Sequence, residues 1–204
     1  NTLVIVTTDH GIEFSGGKKT LSDQGIGVML MIRGPEGTPF TGGKVIEPIV
    51  SHLDLYPTLC ELLGRKVAHT LEGKSLLPLV RGEAARLHDA IFAEQTYHGP
   101  LEPLRCMRTE RYKLVKRHFA AGPQLRHDGP TSPVMEQFGW YDRPIGHTEL
   151  FDLYLDPQEA CNRADDPALA QVRADLEKQL TDWMTRTNDC FSGGAFPPVP
   201  KQAG

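Results

Sequence analysis

The apolar run Thr2-Leu3-Val4-Ile5-Val6-Thr7 gives way abruptly to Thr8-Asp9-His10-Gly11. Adjacent residues face opposite sides of a regular strand. At a strand end, where the chain turns, a carboxylate and an imidazole can instead converge on one cation, and Gly11 permits the sharp turn. Hard cations prefer the carboxylate, and an imidazole widens the choice toward manganese, iron or zinc. Asp9 and His10 are therefore candidate metal ligands. The competing reading is a turn in which both bond the backbone. Lys18 and Lys19 follow on a Gly-rich loop. An ammonium there can meet an anionic oxygen of a sulfate or phosphate ester and stabilise charge that builds on the leaving group or on the transferred group; the alternative is a solvated loop charge. His98 comes just beyond a strand end, where it can project into a substrate cleft or simply lie on the surface.

Other residues invite chemistry less directly. Arg105, Arg108 and Arg111 can contact an acidic sugar or decorate a sheet face, the face being favoured for Arg108 and Arg111. Trp140-Tyr141 can stack on a sugar ring or hold a long loop down. His52 and His147 read as core or capping residues. The cysteines, Cys60, Cys106, Cys161 and Cys190, form no C-x-x-C pair, which argues against a zinc ribbon. Cys60 reads as core, and disulfides are left open.

The elements that must position these groups follow from pattern. The run at residues 2–7 suits a strand buried on both faces, as in a parallel sheet. Ligands gather beyond the carboxyl ends of such strands, which is where Asp9 and His10 fall. Residues 12–26 read as a loop, Val28–Ile32 as a second buried strand, and Lys44–Val50 as an extended piece. Asp54–Leu63 reads as a helix with Asp54 as N-cap, Pro57 in the first turn and Gly64 as its stop. Gly73–Leu79 reads as a surface turn that pins a short apolar segment. Strand signals at Ala90–Ala93, Leu104–Arg108, Arg111–Lys116 and Leu150–Tyr154, with a hairpin at Thr109-Glu110, predict a small antiparallel sheet. Residues 117–148 form a long loop. A helix spans Pro167 to Arg186, capped by Asp166. Its stripe of Leu169, Val172, Leu176, Leu180, Trp183 and Met184 is suited to one face of the small sheet. Residues 187–204 read as a surface tail.

These elements give an α/β fold in two parts: residues 1–88 as part of a larger catalytic sheet, and residues 89–204 as an α+β subdomain. The length of 204 residues allows this division. A net charge of -4 with scattered Lys and Arg argues against a nucleic-acid grip and against a membrane-binding patch. No apolar run approaches the ~20 residues that span a bilayer. Because a strand pattern begins at Asn1, the chain is expected to be a piece of something longer, and its compartment is left open. An uncovered half-sheet is also expected to favour self-association or association with the rest of the protein.

Several passages together resemble the sulfatase family of the alkaline-phosphatase superfamily. They are Val4–Gly11, Gly17-Lys18-Lys19-Thr20-Leu21, Gly25-Ile26, Ile32-Arg33-Gly34-Pro35, Val50–Thr58, Glu72–Leu79, and Glu149–Glu159 with Asn162. The spacing from Asp9 to Gly25 and the long loop before Glu149 resemble the sulfamidase (heparan N-sulfatase-like) branch most. The resemblance implies an alkaline-phosphatase-like sheet and hydrolysis of a sulfate ester or N-sulfate on a small molecule or sugar. It also implies a divalent cation, usually calcium with manganese as an alternative, held in part by Asp9 and His10. It places Lys18 against the sulfate. The family's nucleophile is a formylglycine made within a C-x-P-x-R or S-x-P-x-R motif. No such motif occurs in this chain, so these residues alone are expected to be inactive. A run Tyr-Glu-Gly-Gly-x-Arg, frequent in the family, is here Ser22-Asp23-Gln24-Gly25-Ile26-Gly27, without the Arg, and Met29 replaces a frequent Pro. The rivals are a phosphatase or phosphodiesterase of the same superfamily, and a non-catalytic binding chain.

Overall fold

The computed structural model describes residues 1–97, 101–118, 131–142 and 145–192. In chain order the elements are β1 (Val4–Thr7), α1 (Asp23–Ile26), β2 (Leu30–Arg33), α2 (Leu55–Leu62), α3 (Leu77–Arg81), β3 (Ala90–Tyr97), β4 (Leu101–Thr109), β5 (Tyr112–Arg117), α4 (Ser132–Gln137), β6 (Thr148–Asp152) and α5 (Ala170–Arg186). They divide into two compact units, residues 1–9 with 28–91, and residues 10–27 with 92–204.

In the first unit β1 pairs antiparallel with β2, Val4 opposite Arg33 and Thr7 opposite Leu30. The run at residues 2–7 predicts parallel neighbours and two buried faces. Instead Val4, Val6 and Met31 are exposed. A β-branched run reports a strand's preference for apolar cover, not the direction of its neighbour. One face of the pair is covered: Leu3, Leu30 and Ile32 pack on a core of Phe40, Leu76, Leu77 and Val80. The apolar end of Gly73–Leu79 is pinned in this core, with Leu76, Leu77 and Leu79 buried. It leads into α3, whose Leu77 is fully buried. Asp54 stands at the N-cap of α2, as expected, but its side chain makes no capping bond there. It ends a 3-10 turn, His52–Asp54, whose N-cap is Ser51 in a reciprocal capping box.

The second unit is built on a four-stranded sheet in the order β3-β4-β5-β6. Its β4–β5 and β5–β6 pairs are antiparallel, with Cys106 opposite Val115 and Leu114 opposite Leu150. Side chains alternate between faces, and the alternation assigns each residue its duty. Leu104, Cys106 and Val115 form one face and pack against Leu21 and Ile26 of the 10–27 segment. Lys113 and Arg117 share that side with Val115. Leu114 and Lys116 face the other way, toward α5, where Lys116 pairs with Glu177. Leu176, Leu180 and Met184 of α5 are buried, and Trp183 stacks on Phe92 with ring centroids 4.9 Å apart. The helix begins as predicted: the Asp166 side chain accepts from Ala168 N at 2.8 Å, and Pro167 opens a 3-10 turn that runs into α5. Residues 12–26 are largely loop, but their end forms the short α1, capped by Ser22. Among the described residues no helix is long and apolar enough to cross a membrane.

Candidate active site

The candidate residues fall in both units. In the first unit, Thr7 closes β1 two residues before Asp9. Its hydroxyl donates to Met29 O at 2.8 Å and therefore accepts from His52 Nε2 at 2.6 Å. His52 is held in place by the residue two positions on. Asp54 is fully buried and accepts from Ser51 N at 2.8 Å, Lys74 N at 2.8 Å and His88 Nε2 at 2.9 Å. Thr58 adds a second tie, donating to Asp54 O at 2.6 Å and accepting from Leu76 N at 2.8 Å. A buried carboxylate needs such donors to offset its lost hydration. The result is a rigid turn presenting His52 to the strand that leads to Asp9. Asp9 itself is exposed.

In the second unit, His10 Nδ1 lies 2.7 Å from the carbonyl oxygen of Gly11. A carbonyl can only accept, so Nδ1 carries the proton and, in the neutral ring, Nε2 carries the lone pair. Metal-ligating imidazoles are oriented in this way. The loop beyond folds back on itself. Gly11 N donates to Gly25 O, Ile12 N to Gln24 O, and Lys18 N to Ile12 O, all within 2.8–2.9 Å. The backbones approach so closely that a Cβ on Gly11 would fall 1.9 Å from Gln24 O, and one on Gly25 2.4 Å from Gly17 O. Lys18 Nζ donates to Glu13 Oε1 at 2.9 Å. The hydrogen bond and charge of Lys18, with smaller help from His10 and Lys19, hold the Glu13 carboxyl below its ordinary value. Glu13 is largely exposed, and exposed ion pairs are weak, so an arriving anion can compete for Lys18.

This loop is tied to the small sheet by buried charge. Lys113 is fully buried, and its ammonium lies 2.9 Å from both Asp23 Oδ1 and Glu159 Oε1. Arg108 meets Asp23 Oδ2 at 3.0 Å, and Asp23 N donates to Glu159 Oε1 at 2.6 Å. Burial pushes the Asp23 carboxyl upward, but Lys113 and Arg108 outweigh it and the net shift is down. Burial dominates at Glu159, whose carboxyl is raised despite Lys113. Burial also pushes the neighbouring Cys106 thiol up to about 12.

With this geometry in view, comparison with known proteins is informative. Residues 13–125, a little over half of the chain, match the profile of the family described as N-sulphoglucosamine sulphohydrolase, C-terminal. The chain belongs to that family. It is 33% identical over 218 aligned positions to human N-sulphoglucosamine sulphohydrolase, covering 93% of this chain and 42% of the relative. Among solved structures it is similar to a 2-O GAG sulfatase (TM-score 0.71, 25% identity, covering 97% of this chain and 39% of that one). It is also similar to the phosphonate monoester hydrolase of Agrobacterium radiobacter (TM-score 0.64, 27% identity, covering 90% and 35%). The chain thus spans about two fifths of the length of the curated relative. The α/β reading and the sulfatase resemblance both stand.

For this family member the remaining candidates sort clearly. His98 lies outside the described residues. Arg105 is buried and points to the α5 side, pairing with Asp189 at 2.5 Å under the Phe191 ring. Arg108 pairs with Asp23, and Arg111 with Asp152 at 2.7 Å. All three arginines hold the sheet's surroundings together. Tyr141 is buried, its hydroxyl within 3.2 Å of Ser15 Oγ and 2.9 Å of Ser132 Oγ, so it fastens the long loop. Among the described residues no group of three or more His, Cys, Asp or Glu could hold a metal. The sequence reading missed the roles of Asp54, His88, Lys113 and Glu159. Two of these, Asp54 and Glu159, sit inside the motifs that carry the family resemblance.

Proposed function

We propose that, in the complete protein, this chain contributes half of the active site of a sulfatase that hydrolyses sulfate esters or N-sulfates of sugars. The reading is carried by the family match over residues 13–125. The names of the relatives, one acting on N-sulphoglucosamine and one a 2-O GAG sulfatase, support a sulfated sugar, and the first favours the N-sulfate branch. Asp9 and His10 would be ligands to a divalent cation, calcium or manganese. The fixed tautomer of His10 fits that role. Two ligands fall short of the six to eight that calcium takes, so others must come from water, substrate and residues elsewhere. Such a cation polarises the sulfate and orients the nucleophile. The chain holds no C-x-P-x-R or S-x-P-x-R motif, so a formylglycine nucleophile would be supplied from outside these residues.

The work of the chain itself is orientation and charge neutralisation. Lys18 exchanges Glu13 for an oxygen of the transferred sulfate and neutralises the charge that builds there. The loop's backbone ladder holds Lys18 at a fixed reach from His10. His98 is retained as a candidate substrate contact.

The similarity to a phosphonate monoester hydrolase favours one second reading, phosphoryl transfer. Competing aryl sulfate against aryl phosphate on the complete protein separates the two. The sulfatase reading expects turnover of the sulfate, its loss on chelation and its return with calcium or manganese. It also expects a drop of roughly 100- to 1,000-fold in Lys18→Ala. Preferential turnover of the phosphate would overturn it. Retained metal affinity with no turnover of either ester would establish a binding chain instead.

A further inference from the structure

We propose that Lys113 is a positioning residue for the loop bearing His10 and Lys18, acting through Asp23 and Glu159. The inference rests on the reading above that Lys18 meets the transferred group. Lys113 sits on the sheet face against which Leu21 and Ile26 pack, where an apolar residue of similar length would complete the Leu104–Cys106–Val115 core. An ammonium with no exposure loses its hydration, and a well-packed hydrophobic residue is often the more stable choice at such a place. What the ammonium supplies that a methyl group cannot is direction. Its two carboxylate partners come from separate segments, Asp23 at the start of α1 and Glu159 after β6.

The tie runs onward to the chemistry. Asp23 is held three ways: its carboxylate by Lys113 and Arg108, its backbone N–H by Glu159. Beside it, Gln24 Nε2 donates to Gln158 Oε1 at 2.8 Å. The carbonyls of Gln24 and Gly25 then receive the N–H groups of Ile12 and Gly11, the residues immediately after His10. Gly25 also lies against the backbone of Gly17 and Thr20, which bracket Lys18. A displacement of Asp23 is therefore passed to His10 and to Lys18 with no flexible joint between. Glu159 shows the strength of the constraint. It holds a left-handed φ of 53°, which a non-glycine residue keeps only when its surroundings fix it. The charges balance, with Asp23 and Glu159 against Lys113 and Arg108.

A double-mutant cycle on the complete protein tests the proposal. kcat and KM for an aryl sulfate are measured for wild type, Lys18→Ala, Lys113→Met, Asp23→Asn, and each of the last two combined with Lys18→Ala. Positioning predicts that Asp23→Asn or Lys113→Met lowers kcat roughly 10- to 100-fold with KM little changed. In the Lys18→Ala background the same changes cost several-fold less, because one of the two groups they position is gone and only the effect through His10 remains. Full multiplicative losses in both backgrounds would overturn the proposal and leave the role of Lys18 intact. Wild-type turnover in Lys18→Ala would overturn the reading of Lys18, and this proposal with it. Should Lys113→Met yield no soluble protein, Asp23→Asn, isosteric and part-exposed, carries the comparison alone.

Discussion

Replacing Asp54 measures how firmly the strand leading to Asp9 is held. Oδ1 accepts from Lys74 N and His88 Nε2, and Oδ2 from Ser51 N. Asn keeps one oxygen and turns an NH2 toward a backbone N–H whichever way its amide sits. His88 can shift tautomer to suit, but the backbone donor cannot. One charge-assisted bond is lost at a site with no exposure, a cost of about 1.5–3 kcal/mol. Ala removes the acceptor for all three donors and should cost about 3–5 kcal/mol. A 204-residue unit loses about 2–4 °C per kcal/mol and a longer protein less, so about 3–12 °C for Asn and about 6–20 °C for Ala are upper bounds. Thermal melts of the complete protein, paired with urea midpoints at constant slope, provide the measurement. The reasoning fails if both variants melt within about 1 °C of wild type, or if Ala is the milder of the two.

Three further outcomes are expected. Gly25→Ala places a Cβ 2.4 Å from Gly17 O and 2.6 Å from Thr20 O; it should cost about 1–3 kcal/mol of stability and most of the turnover, read by melting and by aryl-sulfate assay. Asp189, against burial, is lowered by Arg105, and Asp152 is lowered first by its hydrogen bond from Arg111. With Asp23, such carboxylates stabilise the fold above their unfolded pKa of about 4, and that contribution disappears as pH falls through the lower folded values. Glu102 and Glu159, raised by burial, act in the opposite sense. Urea midpoints stepped down from pH 5 should therefore fall, and fall less steeply in Asp189→Asn; an unchanged slope would remove Asp189 from the account. A thiol reagent at pH 8, with peptides mapped afterwards, should label exposed Cys161 and Cys190 and spare buried Cys60 and Cys106.

How far the sequence could be read depended on how local each signal was. The start of the final helix was readable because Asp166 and Pro167 act within one turn, and its face because the stripe repeats every three or four residues. The β4–β5 hairpin was readable for a similar reason: Thr109 Oγ1 bonds Tyr112 N at 2.8 Å, three residues away. Asp54 defeated the reading. Its spacing suits an N-cap, yet its carboxylate turns back to Ser51 N and reaches 20 and 34 residues ahead, to Lys74 and His88. The direction of β1–β2 pairing is likewise set by chain beyond the run itself. Lys113 looked like an ordinary strand lysine, since alternation assigns a face but not what covers it. The Asp9-His10 pair and Lys18 stood out because their residue types change sharply at a strand end and on a Gly-rich loop.

The buried ammonium also has a consequence for the timing of synthesis. Its partners lie 90 residues behind it and 46 ahead, so neither neighbour in the sequence can stand in. Until Glu159 has been made, Lys113 can be buried only with part of its charge unmet, and the loop has no completed seat on the sheet. Contacts this distant form late, because the closure entropy comes before the reward. On a ribosome adding about 5–20 residues per second, the stretch from Lys113 to Glu159 is a matter of seconds. During that interval β6 is only arriving and α5 is still to come, and the loop proposed for chemistry would wait undocked until Glu159 is in place.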